Sequence, residues 1–262
     1  MQQYMDIFEK IQINHPLIHH ITNSVTINDC ANITLCIGAS PVMAHAHEEV
    51  ADMVACAQAL VLNIGTLDAY QVESMHLAAT AAEKHAIPII LDPVGAGATP
   101  YRTEVAKDLI SSFPIAVIKG NIGEIGTLVG AEAEVRGVDA GAFSGKPESI
   151  AIQLAEKEDT IVAITGAVDT IADGKKVISI ANGSKAMGTI SGTGCMAASL
   201  IGSCAAVTQD YLAASVTALC AFGIAGEHAA MYADGPISFK TGLFDTLSKL
   251  TPDVLLKEGK IQ

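Results

Sequence analysis

The chain has 262 residues, half of them hydrophobic but only 4% aromatic, and 15 Lys+Arg stand against 28 Asp+Glu for a formal net charge of -13. That acidity, with no basic stripe or Arg cluster, argues against nucleic acid or an anionic membrane surface as partner. An anionic ligand must then be held by local devices such as helix N-termini, a bound cation or single lysines.

In chain order, residues 3–14 read as an amphipathic helix stopped by Pro16. Residues 17–21 follow as a strand, 28–37 as a helix capped by Gly38, 41–43 as a short strand and 48–57 as a helix. The clearest rhythm comes next. Strands are expected at 59–65, 87–92, 115–120 and 160–166, and helices at 69–85, 104–112, 122–129 and 149–156. Residues 170–181 read as a hairpin turning at Asp173-Gly174, and the rest of the chain as mainly helical. The run 211–226 is short for a membrane span and ends in Glu227-His228, so a buried helix or one at a subunit contact is expected.

Continuous apolar strands alternating with helices signal a parallel sheet covered on both faces. The expected fold class is therefore α/β, a three-layer αβα sandwich with a mainly parallel sheet, in one domain over residues 1–262. Six cysteines occur without a CxxC pair, and the opening MQQYMDIFEKI lacks the pattern of a signal peptide. Free thiols in a reducing cytoplasm are the expectation.

Ligands of open α/β sheets sit beyond the carboxyl ends of the strands. Those ends carry Asn23, Met43, Asn63, Asp92, Lys119-Gly120-Asn121 and Thr165-Gly166. Turn formation is the plain alternative at each position. The loop Gly192-Thr193-Gly194 runs into an apolar helix with Cys195 at the seam. Three readings meet there. The G-x-G-x-x-A match to a dinucleotide fingerprint lacks its βαβ context. A cysteine nucleophile needs a positioned base, and none of His19, His20, His45 or His47 is paired with it by sequence. A phosphate cradle at the helix N-terminus needs no partner residue and is favoured. That position also predicts a lowered thiol pKa for Cys195.

Three further motifs carry candidate chemistry. His45-Ala46-His47 after a strand is a start for a metal-hydrolase site, but such a site needs more ligands. GAFSGKP, residues 141–147, is one residue short of a Walker loop. Asn121 and Glu124 have the spacing of a capping box, and Glu124 is also placed to help hold Mg²⁺ beside a nucleotide.

Together, NxxE after a strand and a later Gly-rich anion loop resemble the ribokinase-like superfamily. The segments HHITNSVTINDCAN, ASPVMAHAHEEV, ILDPVGAGATPYR, IKGNIGEI, ITGAVD and GTGCMAAS are similar, in order and over nearly the whole chain, to the hydroxyethylthiazole kinase family. The resemblance implies a ribokinase-like fold without a separate lid domain. It also implies ATP-dependent, Mg²⁺-dependent phosphorylation of the primary alcohol of 4-methyl-5-(2-hydroxyethyl)thiazole, a thiamine salvage step, by a cytoplasmic homotrimer with sites between subunits. By motif matching, Met43 and Gly192 contact the thiazole with Asn23 close by. Lys119, Thr165 and Asn121 serve ATP, and Asp92 and Glu124 work around Mg²⁺. Gly192, Thr193 and Gly194 form the anion hole. Cys195 stands where the wider superfamily places an aspartate base. The rival expectations are a metal hydrolase built on His45 and His47, and a non-catalytic binder of small molecules.

Overall fold

A computed structural model describes residues 1–130 and 146–262. The first five residues of GAFSGKP therefore lie outside the described residues. The strands are β1 Leu17–Ile21, β2 Ser40–Val42, β3 Ala59–Asn63, β4 Ile89–Asp92, β5 Ile115–Asn121, β6 Ile161–Thr165, β7 Asp169–Ala172 and β8 Val177–Ile180. They form one sheet in the order β2-β1-β3-β4-β5-β6-β7-β8. Pairing is parallel from β2 through β6 and antiparallel for β7 and β8. The expected hairpin is present, and Asp173 accepts the backbone N–H groups of Lys175 and Lys176 in its turn.

The helices are α1 Gln2–Asn14, α2 Ile27–Ile37, α3 Val50–Cys56, α4 Ala69–Lys84, α5 Pro100–Ser112, α6 Ile122–Val129 and α7 Pro147–Glu158, then α8 Thr193–Ala205, α9 Tyr211–Tyr232, α10 Pro236–Leu247 and α11 Pro252–Glu258. A 3-10 turn, Lys185–Thr189, precedes α8. Alternating strand residues divide between two cores. Ile18, Val61, Ile90, Val117 and Ala163 face the layer of α1, α2 and α8 to α11. Leu60, Leu62, Ile89, Leu91 and Val162 face the layer of α3 to α7. Period-two alternation with both faces apolar is what makes each strand a continuous hydrophobic run.

Boundaries move for local reasons. Helix α5 begins four residues before the expected start, because Thr99 caps it and Pro100 takes its first position. Strand β4 begins two residues late. The N–H of Ile87 is spent on the carbonyl of Ala82 at the end of α4. Helix α9 runs to Tyr232, past the Glu227-His228 stop. By length and composition it could span a bilayer, yet most of it is buried among α8, α10 and α1, and the exposed large apolar side chains on it are Met231 and Tyr232.

Helix α8 lies against β1, β3 and β4. A Cβ on Gly202 would meet Val61 Cγ2 at 2.6 Å, so only glycine lets the helix approach the sheet this closely. That approach sets the N-terminus of α8 above the strand ends.

Strand β1 also buries two histidines. His20 is fully buried, and its Nδ1 lies 3.1 Å from the Ile18 carbonyl. Burial lowers its pKa from 6.5 to about 4. Above pH 6.5 neither state binds the proton. Between 6.5 and 4 the unfolded chain binds it and the folded chain does not, so stability falls with falling pH. His20 is thus expected to remove about 3 kcal/mol of stability over that window. Urea denaturation of wild type and His20→Gln from pH 7 to 4 measures it. A wild-type curve no steeper in pH than the variant's would refute the assignment.

Candidate active site

The chain leaves β1 toward β2 on one side of the sheet and returns to β3 on the other. The strand order therefore switches between β1 and β3, where a crevice opens at the carboxyl ends. Asn23 follows β1, and the parallel register sets Asn63 at the end of β3 beside Asp92 at the end of β4. These side chains form one buried chain of hydrogen bonds. Asn63 Nδ2 donates to Asp92 Oδ2 at 2.7 Å, and Asn23 Nδ2 donates to Asn63 Oδ1 at 2.9 Å and to Cys195 Sγ at 3.3 Å. Asn23 Oδ1 in turn accepts the N–H and hydroxyl of Thr26, which fixes the amide orientation.

Strand β5 contributes Lys119. Its Nζ lies 3.3 Å from Asp92 Oδ1, and both side chains are almost wholly buried. Burial acts to discharge the ammonium, but Asp92 and Glu124 outweigh it and hold the lysine above its ordinary pKa. Burial raises the Asp92 carboxyl to about 6, with Lys119 pulling down and Glu124 pushing up. One residue beyond β5, α6 opens with the expected capping box. Asn121 Oδ1 accepts the Glu124 N–H at 3.0 Å, and Glu124 Oε2 accepts the Asn121 N–H at 2.8 Å. Glu124 does more than cap, because its Oε1 also accepts the N–H of Gly95 at 2.8 Å and ties down the loop after β4.

Helix α8 supplies the anion site. Gly192 is its N-cap at φ 93, and the first intrahelical bond runs from the Met196 N–H to the Gly192 carbonyl. The N–H groups of Thr193, Gly194 and Cys195 have no hydrogen-bond partner among the described residues. They line the same cavity, of about 720 Å³, as Asn23, Asp92, Lys119, Asn121, Glu124 and Thr165. Free N–H groups at the positive end of a helix, next to a buried ammonium, suit a phosphate. A second, more apolar cavity of about 550 Å³ continues past Thr165, Thr193 and Gly194 to Leu219 and Phe222 on α9.

Residues 8–253 match the Hydroxyethylthiazole kinase family. A protein from Methanocorpusculum labreanum named hydroxyethylthiazole kinase is 55% identical over 261 residues, spanning 100% of this chain and 98% of that protein. One of the same name from Methanocella arvoryzae is 56% identical over 256 residues, spanning 98% and 96%. The chain belongs to the hydroxyethylthiazole kinase family. A solved hydroxyethylthiazole kinase protein from Pyrococcus horikoshii OT3 superposes with a TM-score of 0.92 at 39% identity, covering 100% of this chain and 99% of that one. A ribokinase-like superfamily protein from Enterococcus faecalis, at 14% identity and a TM-score of 0.68 over 95% of both chains, shares the fold.

One expectation changes within the family site. Cys195 does not have the lowered pKa that a helix N-terminus suggests. Burial raises it, Asp92 adds to the rise, and Lys119 only partly offsets them. The thiol is buried against Asn23, and desolvation is the largest influence on it. Met43 lines a neighbouring depression with His20, His45 and Tyr70, which meets the main cavity only at Thr66.

The hydrolase reading finds no ligand set. His47 stacks on Tyr70 at 3.8 Å between ring centroids, and its Nε2 lies 3.0 Å from the Tyr70 carbonyl. Among the described residues no three His, Cys, Asp or Glu side chains come together to hold a metal ion.

Arg102 was not anticipated. From the first turn of α5 its guanidinium donates to the carbonyls of Ile64, Gly65 and Val94 at 2.8 to 2.9 Å, binding together the loops after β3 and β4. The Thr99-Pro100 helix start is the local sequence signal that sets this arginine on the first turn of α5.

Proposed function

We propose that the protein transfers the γ-phosphoryl group of ATP to the primary alcohol of 4-methyl-5-(2-hydroxyethyl)thiazole. The observation that carries this reading is the meeting, in one cavity, of Lys119 and Asp92 with three N–H groups of α8 that have no partner among the described residues. The apolar cavity beyond Thr165 suits the nucleoside of ATP, and family membership names the alcohol. In the transfer, the alcohol oxygen bonds to the γ-phosphorus, the bond from that phosphorus to the ADP oxygen breaks, and the hydroxyl proton passes to the transferred phosphate or to solvent. The transition state is loose, so positioning and charge neutralisation matter more than a strong base. Lys119 and the N–H groups of Thr193, Gly194 and Cys195 would neutralise charge on the transferred group, and Asn23 would orient the substrate side of the crevice.

Asp92 and Glu124 suit Mg²⁺. Each of their four oxygens accepts one protein donor and keeps a second lone pair, and both carboxylates line the cavity. Mg²⁺ commonly takes one or two carboxylates together with water and phosphate oxygens. When bound it would supply charge neutralisation for the phosphates. We further read the chain as one kinase domain that acts as a cytoplasmic homotrimer, with Met43 serving a thiazole site completed by a neighbouring subunit. Sedimentation analysis tests the trimer.

A coupled assay of ADP release with ATP, Mg²⁺ and the thiazole alcohol tests the activity. Alcohol-dependent release supports it, and thiazole binding without release would overturn it. The raised pKa keeps the Cys195 thiol protonated near neutral pH, so it is not available to accept the alcohol proton. Cys195→Ala should therefore retain turnover within about tenfold of wild type, and Cys195→Asp should match or exceed wild type. An inactive Cys195→Asp protein, or a phosphorylated thiol trapped during turnover, would show that the thiol has a different role.

A further inference from the structure

The apolar cavity and the transfer cavity share Thr165, Gly188, Thr193 and Gly194. A nucleotide whose phosphates lie at the N-terminus of α8 and whose base lies against Leu219 and Phe222 carries its sugar at that shared boundary. Asp169 lines the second cavity beside that boundary, at the start of β7 and four residues past Thr165. Its Oδ1 accepts the N–H of Gly166 at 2.9 Å, which closes the turn between β6 and β7. Its Oδ2 has no hydrogen-bond or ion-pair partner among the described residues. An ionised carboxylate only accepts hydrogen bonds, so the free oxygen calls for a neutral or cationic donor. Phosphate is the wrong sign for it. The base end of the cavity is walled by α9 rather than by this turn.

We propose that Asp169 reads the ribose of the bound nucleotide, its carboxylate accepting hydrogen bonds from the sugar hydroxyls, so that the protein selects ribonucleotides over deoxyribonucleotides. The proposal rests on the kinase reading and adds a specificity residue to it. Burial raises the Asp169 carboxyl to about 6, with the Gly166 N–H pulling it back, which fits a carboxylate that no cation neutralises by direct contact. The turn needs only one of its oxygens.

The test is calorimetric titration of the full chain, with Mg²⁺ present, against ADP, 2′-deoxy-ADP and 3′-deoxy-ADP. The matching triphosphates are compared in turnover with the thiazole alcohol. Wild type should bind at least one deoxynucleotide about tenfold more weakly than ADP, the loss of a charge-assisted hydrogen bond. In turnover the difference should fall on KM rather than kcat. Asp169→Asn keeps an oxygen for Gly166, so it should fold normally, yet it presents an amide in place of the free acceptor. It should shrink the discrimination to about threefold or less. Equal affinity of wild type for all three nucleotides, or full discrimination retained by Asp169→Asn, overturns the proposal. Failure of the kinase reading looks different, because alcohol-dependent ADP release would then be missing whatever the sugar.

Discussion

Lys119→Met should lower kcat/KM by roughly a hundredfold or more, the scale on which removal of one preorganised electrostatic group acts. Its ammonium is the cation that the structure places beside the helix N-terminus and the strand-end carboxylates. The substitution should also destabilise the fold by about 3 kcal/mol, because removing one partner of a buried pair strands the other. The stranded group is Asp92, which has 1% side-chain exposure and is left with the Asn63 amide. Adding Asp92→Asn to Lys119→Met removes the stranded charge and should recover most of the stability while leaving the protein inactive. Denaturant melts and the ADP-release assay on wild type and the two variants separate the two effects. A single variant that turns over like wild type would remove Lys119 from the mechanism. A double variant as unstable as the single one would show that the destabilisation has another source.

Gly192→Ala and Gly194→Ala should part company although they stand two residues apart. Gly192 has φ 93, and a Cβ there would meet Thr26 Cγ2 at 2.6 Å. The alanine variant must strain its backbone and push Thr26 off Asn23. A loss of about 2 kcal/mol of stability or more is expected, with a fall in kcat/KM of about a hundredfold as the N–H groups lose their aim. At Gly194 a Cβ would meet only Lys119 Nζ, at 3.0 Å, the movable end of a long side chain. Helix propensity favours alanine there by up to about 1 kcal/mol. Gly194→Ala should therefore be as stable as wild type or more so, and slower by about tenfold because the ammonium is displaced from the phosphate. Thermal melts and steady-state kinetics check both. Equal losses of stability would contradict the separation, and a fully active Gly194→Ala would contradict the placement of Lys119.

Much of this site was legible because α/β geometry concentrates it. Polar residues that end apolar runs, Asn23, Asn63, Asp92, Lys119 and Thr165, fall on one edge of a parallel sheet, and the structure brings Asn23, Asp92, Lys119 and Thr165 to one cavity with Asn63 hydrogen-bonded behind them. Asn121 and Glu124 were legible as a capping box because that motif is local. Arg102 and Asp169 were not singled out. Each does its work through contacts made after folding, Arg102 with carbonyls 37 and 38 residues away and Asp169 with a cavity formed by α8 and α9. The pKa of Cys195 departs from its local expectation for a related reason. The helix N-terminus is a local feature, while the desolvation and the Asp92 charge that dominate the thiol come from other elements.

The sequence by itself determined the layered parallel architecture, since strand and helix periodicities are encoded residue by residue, and it placed the anion loop, since glycines before an apolar helix leave N–H groups free. Tertiary structure alone decided that Asn23, Asn63, Asp92 and Cys195 form one hydrogen-bonded chain, because that depends on strand order and on the closeness of α8 to the sheet at Gly202. It also decided the protonation tendencies of the site. Those follow from burial and from charges that meet only when distant segments pack together.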